Sequence, residues 1–468
     1  RGTGLDRSAK INLMEDGILI APAPYSSPAA YYSPTAARME AFEIRKGSSQ
    51  IKYGPHSTGG AINYISASIP EKLDFSGSLE AGNFSTQTAK FKTGVSSNNL
   101  GLMFQTHLDN VGGFKVLDGG GDTGYEKKDY LFKARLNSKS ELVAMELKLS
   151  QTQEVSHETY LGLTKADFYD DPYRRYRASQ NDLMDANHNQ ITFSGAIKIS
   201  QNTDLTSTFY NNNFHRNWYK LNSVNGDKIS AILNEDENTR VSYELLSAYD
   251  SEDDVYDIKA NNRIYNSQGI QTIVRSSFSM FTNTNQNLMI GLRKHSDEMD
   301  RYQWSDLYKM NNGQLILTTA GIAGSGSKNN RLYSARANSI FVEDEIIFNN
   351  ISITGGVRYE RIFLERKDWG NDLNRDSTAT SIKAANIKVF IPGIGISYQL
   401  ANELQLFSGI HKGFSPPGPG IDDEEEVLPE ESINFEFGTR YNKGFQTGEL
   451  VAFYNSYNNL LGEDTQSS

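Results

Sequence analysis

The stretch RMEAFEIRKGSSQIKYGPHSTGGAINYISASIP, residues 38–70, decides the fold of this chain. Its first part alternates as a strand does and ends at Gly47. A tight turn is predicted at residues 53–55, and a second strand-like run begins after Gly59-Gly60. Glycine is expected where the backbone needs positive φ or a close approach to another segment. Three glycine-marked breaks in so short a stretch predict a compact, rigid unit of strands and turns.

The composition limits the possible functions. The chain has 468 residues, which is enough for one large β domain and a smaller one. It contains no Cys, which excludes disulfides and thiolate metal sites. The net charge of -11 argues against a nucleic-acid partner, because such proteins need a basic face. No run approaches the ~18 apolar residues of a membrane helix, but β-barrel strands alternate in polarity and need no such run.

Downstream of residue 70 the pattern changes to long alternating strands, and we count about 16 of them. One long run, residues 256–279, is expected to divide into two strands near Ser267-Gln268-Gly269. Tight connections alternate with long polar ones, such as residues 217–254. Outer-membrane barrels show this asymmetry, whereas a sandwich would be more even and a propeller would repeat its blades. The pattern therefore predicts a large antiparallel barrel.

The opening stretch resembles the end of the plug domain of TonB-dependent outer-membrane transporters. In that family a segment of the type R-I-E-V-x-R-G, then Y-G, then G-G-x-I-N precedes the first barrel strand. The matching positions in this chain are Arg38, Met39, Glu40, Arg45, Gly47, Tyr53, Gly54, Gly59, Gly60, Ile62 and Asn63. The alternative is that the glycines only shape turns in another β-rich domain. The resemblance itself implies that most of these residues are structural.

The resemblance implies an all-β membrane protein in two parts. Residues 1–70 would be the C-terminal part of a plug domain, and residues 71–468 a transmembrane β-barrel around it. The family has about 22 strands, so about 16 strands leave the barrel incomplete at its C-terminal end. We therefore expect a partial receptor whose early plug, energy-coupling box and last strands lie outside this sequence.

Two candidate ligand-binding residues belong to the plug-like part. The segment Ala21 to Tyr25, APAPY, is held extended by its prolines. It resembles the ferric citrate branch of the family, which implies that Tyr25 lies at the plug apex and faces the ligand. A rigid surface loop is the alternative interpretation. His56 is the second candidate at the apex.

The long loop at residues 157–184 contains three arginines among tyrosines: Arg174, Arg175 and Arg177. Its G-L-T-x-A-D and D-P-x-R pattern resembles the long extracellular loop of ferric citrate transporters. Guanidinium groups suit carboxylates, so we expect these arginines to bind an anionic ferric chelate. Alternatively they pair with aspartates of the same loop, such as Asp167, and at least one is expected to do so.

The remaining polar groups indicate neither catalysis nor a protein-built metal site. The run Asp422 to Glu426 could bind Ca²⁺, but contiguous carboxylates lack the spacing of a calcium loop and favour a solvated acidic loop. The seven histidines have no metal-motif spacing. No nucleophile elbow or phosphate-binding loop occurs. We therefore expect no enzyme, no metal site and no resident cofactor.

The resemblance implies TonB-dependent active transport of a ferric chelate, ferric citrate or a similar ferric siderophore. The location would be the outer membrane of a Gram-negative-type bacterium. The expected partners are the chelate, outer-membrane lipid and a TonB-type inner-membrane energy-coupling complex. A catecholate siderophore, haem, a metal cation or a glycan stays open as the ligand. A passive channel and a secreted β-rich binding protein are alternatives; the plug-like segment argues against the first, and long strands with unequal loops argue against the second.

Overall fold

The computed structural model describes residues 10–47, 51–280, 283–417 and 428–459. A small sheet comes first, with strands β1 (Asn12–Glu15), β2 (Ile18–Leu19), β3 (Met39–Arg45) and β4 (Ala61–Ser66), and a 3₁₀ helix at Ala36–Arg38. The strand order is β2-β1-β4-β3. The central pair, β1 and β4, is parallel and the other two pairs are antiparallel. We call this sheet and its loops, up to the next strand, the inner domain.

A much larger antiparallel sheet follows, with fifteen long strands among the described residues. They are β5 (Asp74–Gly82), β6 (Thr86–Ser96), β7 (Leu100–Val111), β9 (Tyr125–Asn137), β10 (Val143–Ser156), β12 (Leu183–Ser200), β13 (Thr203–Val224), β15 (Tyr256–Phe278), β16 (Thr284–Asn311), β18 (Asn329–Phe348), β19 (Ile351–Asp368), β20 (Ser381–Ala401), β21 (Leu404–Ser415), β22 (Glu430–Lys443) and β23 (Gln446–Asn458). The strand order brings β23 back beside β5. The sheet therefore has the form of a barrel.

All the long connections lie at one end of this barrel, as the alternation of loop lengths predicts. Short elements fill them: β8 (Val116–Leu117), β11 (Arg174–Arg175), β14 (Asp227–Lys228), β17 (Gln314–Thr319), α1 (Lys165–Asp170), α2 (Ile229–Leu233), α3 (Arg240–Leu245), and 3₁₀ turns at Arg177–Ser179 and Glu237–Thr239. The connection that contains the acidic run Asp422 to Glu426 lies outside the described residues.

The run of residues 256–279 forms one strand, so the expected division near Ser267-Gln268-Gly269 is wrong. These three residues pair without a break with β13 on one side and β16 on the other. A Cβ on Gly269 would collide with the hydroxyl of Tyr210 and the carbonyl of Lys294. The glycine therefore makes room for a side chain of the neighbouring strand instead of turning the chain. This single strand explains the count of fifteen instead of about 16.

Alternate residues of each barrel strand face the inside and the outside. In β20, Val389 and Ile391 are buried, whereas Phe390 and Ile394 are 56% and 51% exposed. Rows of exposed apolar side chains on the outer face are what a lipid-facing barrel surface requires. Separately, none of the helices in the described residues has the length and apolarity to cross a bilayer.

The inner domain lies inside the barrel. Its residues contact strands around the whole wall, among them β9, β10, β12, β13, β15, β16, β18, β19 and β21. One apolar core joins Met14, Leu19 and Tyr25 of the inner domain to Ile362 and Ile391 of the wall. Apolar burial is not directional, so the polar contacts across this interface must set the orientation of the inner domain.

Candidate ligand site

The turn that contains Tyr25 is held by the barrel wall. The backbone N–H groups of Tyr25 and Ser26 donate to the Asp297 carboxylate on β16, at 2.8 and 3.0 Å. The Tyr25 hydroxyl donates to Glu360 Oε2 on β19 at 2.9 Å and accepts from Arg293 Nη2 at 2.8 Å. The whole Tyr25 side chain is buried. The structure thus places this predicted ligand residue between the inner domain and the wall.

The tight turn of the signature stretch lies in the same interface. Arg293 Nη2 donates to the Gly54 carbonyl at 3.2 Å, and Arg358 Nη1 donates to the Lys52 carbonyl at 2.8 Å. Arg358 also donates to Glu360, which joins both turns in one network. A Cβ on Gly54 would collide with the Glu360 carboxylate and the Arg358 guanidinium. Glycine is needed here because the wall approaches the backbone so closely.

The other signature residues shape the inner sheet itself. Asn63 accepts the Gly17 N–H at 2.8 Å and donates to Glu43 at 3.1 Å. Arg45 pairs with the same Glu43 carboxylate. Gly47 has a φ of 67°, a conformation that favours glycine. The signature residues that contribute to the tight turn and to the entry of β4 are Tyr53, Gly59 and Gly60.

His56 is buried between two segments of the inner domain and the wall. Its Nε2 lies 2.9 Å from the Pro24 carbonyl and its Nδ1 lies 3.3 Å from the Ser415 hydroxyl on β21. Burial lowers the pKa of His56 to about 4. The imidazole is therefore neutral near pH 7, and Nε2–H donates to the carbonyl. The role of His56 as a ligand contact stays a prediction.

A second buried network anchors the opposite side of the inner domain. Arg38 donates to both carboxylate oxygens of Glu15, at 2.8 and 3.2 Å, and its Nε lies 2.9 Å from Asp129 on β9. Lys148 Nζ on β10 lies 2.7 Å from Glu15 and 2.7 Å from Asp16. Removing one member of a buried ion network leaves an uncompensated charge, so these contacts strongly favour one seating of the inner domain.

Four arginines lie nearer to the long loops, in directly opposite positions on adjacent strands. Arg216 of β13 is paired with Arg263 of β15, Arg263 with Arg301 of β16, and Arg301 with Arg331 of β18. Residues paired in this way share one face of a sheet. That face is the inner one, because Arg216 is buried against Tyr31 of the inner domain. We call these four residues the arginine row.

The arginine row has little compensating charge. Within the described residues, only Arg331 forms an ion pair, with Asp368. All three guanidinium nitrogens of Arg216 are buried without a hydrogen bond of ordinary geometry, as are the Nε atoms of Arg263 and Arg301. Two such charges about 5 Å apart repel by roughly 3 kcal/mol at an effective dielectric constant of about 20. The row is therefore suited to an anion that would relieve this repulsion.

A tier of large apolar side chains lies directly below the arginine row. Its members are Phe214, Tyr265, Met299 and Tyr333, all buried and paired across the same four strands. Tyr31 of the inner domain rises past this tier to the row. The centroid of its ring lies 3.7 Å from Arg216 Cζ and 5.4 Å from Arg263 Cζ. The inner domain thus contacts the row through one aromatic ring.

Arg174, the first of the loop arginines, is held by neighbouring loops. Its guanidinium donates to Asp118 at 3.0 Å and to Asp167 at 2.9 Å, and the hydrogen bonding to Asp118 raises the pKa of Arg174. Burial would raise the pKa of Asp167, but hydrogen bonds from Tyr176 and Tyr243 keep it below its usual value. The expected pairing of a loop arginine with an aspartate is thus observed.

The other two loop arginines also contact protein. Arg175 donates to the Ser179 hydroxyl at 2.8 Å and to the Ser179 carbonyl at 2.6 Å, and burial lowers the pKa of Arg175. Arg177 Nη1 lies 3.5 Å from the Gly313 carbonyl, and its Cζ lies 5.5 Å from the Tyr249 ring centroid. Binding of a ligand by the three loop arginines stays a prediction.

The apolar cluster beneath this loop lies on the other face of the strands. It joins Leu161 and Tyr176 of the loop to Leu221 of β13, Ile258 of β15 and Met310 of β16. Each of these strand residues lies an odd number of positions from the arginine of the same strand, so the two sets point to opposite faces. The loop arginines and the arginine row therefore belong to different surfaces.

Comparison with known proteins agrees with this architecture. The family model described as TonB dependent receptor-like, beta-barrel matches residues 103–468. The chain belongs to the TonB-dependent receptor family. This family consists of outer-membrane receptors and transporters, not enzymes.

Solved TonB-dependent receptors share the fold of this one. The unliganded ferric citrate transporter FecA matches with a TM-score of 0.74 and 17% identity, over 98% of this chain and 63% of that chain. The ferric-catecholate import receptor Fiu from E. coli K12 has a TM-score of 0.71 and 14% identity, over 98% and 69%. The siderophore receptor PiuA from Acinetobacter baumannii matches with a TM-score of 0.70 and 13% identity, over 95% of this chain and 65% of that chain. Such identities show the fold alone, and this TonB-dependent receptor spans 63% to 69% of these chains.

No local sequence pattern singles out the arginine row. Its members are separated by tens of residues, so no local motif contains two of them. Arg216 lies near the loop end of a strand of 22 residues, about twice the length that a membrane crossing requires. The signal present in the sequence is that arginine recurs near the loop ends of successive strands. In each strand it lies an even number of residues from the buried side chains of the apolar tier, and so on the same face.

Proposed function

We propose that this TonB-dependent receptor takes up a ferric chelate that carries several carboxylates, ferric citrate or a similar ferric siderophore. Its place would be the outer membrane of a Gram-negative-type bacterium. The inner domain occupies the lumen, so passage requires that domain to be displaced. A TonB-type complex of the inner membrane would supply the energy for that displacement.

The arginine row is the observation that supports this ligand class. Each guanidinium can hold one carboxylate through two parallel hydrogen bonds. At the ~4.8 Å spacing of strands, four arginines span roughly 14 Å. A compact chelate with several carboxylates would contact two or three of them at once and reduce their mutual repulsion. A ligand with one charge would use only part of the row.

A catecholate chelate is the second candidate, because it is also anionic. Catechol rings bind best where aromatic faces are open for stacking. The aromatic rings of the apolar tier, Phe214, Tyr265 and Tyr333, are buried beneath the arginine row and packed against the inner domain. This favours carboxylate over catecholate, and haem, a metal cation or a glycan would each need contacts other than the row.

Titration of the detergent-solubilised receptor tests the proposal. Ferric citrate and iron-free citrate would be titrated separately, with binding followed by calorimetry. We expect tight binding of the ferric form alone. Equal binding of both would indicate a general carboxylate site, and no response to either would move the substrate to another chelate, a metal cation or a glycan.

Substitutions decide between the two arginine sets. Arg263→Gln and Arg301→Gln each remove a charge-assisted bidentate contact, so each should weaken ferric citrate binding by roughly 10- to 100-fold. The comparison variant carries Gln at the three loop positions, Arg174, Arg175 and Arg177. Weaker binding in the loop variant with unchanged binding in the row variants would assign the pocket to the loop instead.

A further inference from the structure

Tyr31 occupies the place from which the arginine row would meet a ligand. Its ring faces two guanidiniums, and Arg216, the closer one, has no hydrogen bond of ordinary geometry in the described residues. A desolvated cation–π contact of this kind is favourable. The ring is therefore, together with Tyr265, one of the favourable partners of the Arg216 charge.

We propose that Tyr31 is an intramolecular competitor for the arginine row, which an anionic chelate displaces on binding. This inference rests on the proposed function, because it concerns the same site. A carboxylate offers a guanidinium two charge-assisted hydrogen bonds, which exceed a cation–π contact in strength. The guanidiniums of Arg216 and Arg263 turn from the ring to the carboxylates, and the ring loses its contact with these two arginines.

A short path leads from Tyr31 into the inner sheet. The Tyr31 N–H donates to the Ala29 carbonyl at 2.9 Å in a tight turn. Two residues later, the Ser33 hydroxyl lies 3.1 Å from the Tyr64 hydroxyl, and Tyr64 belongs to β4, which pairs with both β1 and β3. Release of the ring therefore loosens a turn that is linked directly to the centre of the inner sheet.

Linkage makes the competition measurable. If binding breaks the contact with Tyr31, then removal of the ring frees the row and strengthens binding. Tyr31→Leu should bind ferric citrate roughly three- to tenfold more tightly than the wild type, and Tyr31→Phe should stay close to the wild type. A tyrosine that itself contacts the ligand would show the opposite, weaker binding in Tyr31→Leu. That result overturns the inference and leaves the proposed function intact.

Hydrogen–deuterium exchange without ligand tests the holding contact by itself. Arg216→Gln and Tyr31→Leu should each raise exchange in residues 27–35 severalfold. The double variant should show no further increase, because the two substitutions remove the same contact. The control is Arg375→Gln, since Arg375 also stacks on aromatic rings, Tyr302 and Trp369, in the connection between β19 and β20, where it pairs with Asp300.

The outcomes separate this inference from the proposed function. If exchange in residues 27–35 is unchanged in Arg216→Gln, the role of Tyr31 is overturned, whatever the ligand. The control for folding of the barrel is its electrophoretic mobility before and after heating. Failure of the wild type to bind ferric citrate overturns the proposed ligand, while the ligand-free exchange still decides whether the row holds Tyr31. Raised exchange together with tighter binding of Tyr31→Leu supports both.

Discussion

At the scale of single residues, the orientation of the inner domain depends on a few polar groups of the wall. The Asp297 carboxylate accepts hydrogen bonds from two backbone N–H groups of the Tyr25 turn, and the Glu360 carboxylate accepts one from the Tyr25 hydroxyl. These groups are buried, so each would be costly to leave unpaired. Removal of one of these polar partners should therefore disturb the orientation of the inner domain more than removal of a few apolar contacts.

Gly54→Ala should disturb this seating. Its Cβ would meet the Glu360 carboxylate and the Arg358 guanidinium, and overpacking of this kind costs about 1–3 kcal/mol. We expect faster hydrogen exchange in residues 51–60. Gly355→Ala is the matched control, because a Cβ there meets nothing within 4 Å. Equal exchange in both variants would show that the close approach at Gly54 is not needed.

Asp182 carries a pH-dependent cost at the edge of the long loop. Its carboxylate is buried and accepts from the Thr159 hydroxyl at 2.6 Å and the Leu221 N–H at 2.8 Å. Burial raises the pKa of Asp182 to about 6. The unfolded chain releases this proton near pH 4, before the folded one does, so folding stability falls as the pH rises from about 4 to 6.

Asp182→Asn removes that cost. Asn cannot ionise, so the variant should melt at a higher temperature than the wild type at pH 8, by an amount that reflects roughly 3 kcal/mol or less. At pH 4 the two midpoints should be close, since the wild-type carboxyl is then protonated in the folded state. Thermal unfolding in detergent at both pH values measures this, and a difference independent of pH would contradict the assignment.

At the scale of elements, three strands are longer than a membrane crossing requires, and both faces of their additional length make contacts. β13, β15 and β16 have 22, 23 and 28 residues, against the ~10 that suffice to cross the hydrocarbon core. Their inner faces carry the arginine row and their outer faces carry the apolar cluster of the loops. One set of strands thus presents the candidate ligand site and supports the loops that surround it.

Ile232→Ala should loosen the loop cluster. Ile232 of α2 is fully buried in that cluster, and truncation of a buried Ile costs about 2–4 kcal/mol. We expect faster hydrogen exchange across residues 157–182, which pack on the same cluster. Val241→Ala, in α3, is the control because its side chain is 61% exposed. Unchanged exchange in the Ile232 variant would show that the loops are held by their polar contacts alone.

At the scale of the whole molecule, the inner domain is seated against strands on different sides of the barrel. The Arg38 and Glu15 network holds it to β9 and β10, and the Tyr25 turn is held to β16 and β19. Neither network can break at low cost, because both are buried. Displacement of the inner domain from the barrel therefore needs an external source of work, which agrees with the proposed energy coupling.

A disulfide between the inner domain and the wall should separate binding from uptake. The hydroxyls of Thr58 and Ser415 lie 3.1 Å apart, and the chain has no other cysteine to interfere. The oxidised Thr58→Cys/Ser415→Cys variant should bind ferric citrate normally but accumulate no radioactive iron in cells. Reduction should restore uptake, and Thr58→Cys alone is the control. Uptake by the fully oxidised variant would show that this contact persists during transport.

Much of the architecture could be predicted from local patterns. The turn at Gly54, the strands on either side of it and the unequal barrel loops follow from glycine conformation and the two-residue period of strands. The split at Gly269 was predicted wrongly, because a glycine that admits a neighbouring side chain resembles one that turns the chain. Local patterns also pointed to Arg174, which is visible as part of a cluster, and not to Arg263, which stands alone in the sequence.

The sequence by itself determined the fold class, the inner domain before the barrel and the end of the barrel that carries long loops, since these depend on neighbours along the chain. Only the tertiary structure decided which arginines stand together. The register of each strand pair places Arg216, Arg263, Arg301 and Arg331 in one row, and a shift of one residue would turn any of them to the outer face. The same registers, together with the seating of the inner domain, place Tyr31 against that row.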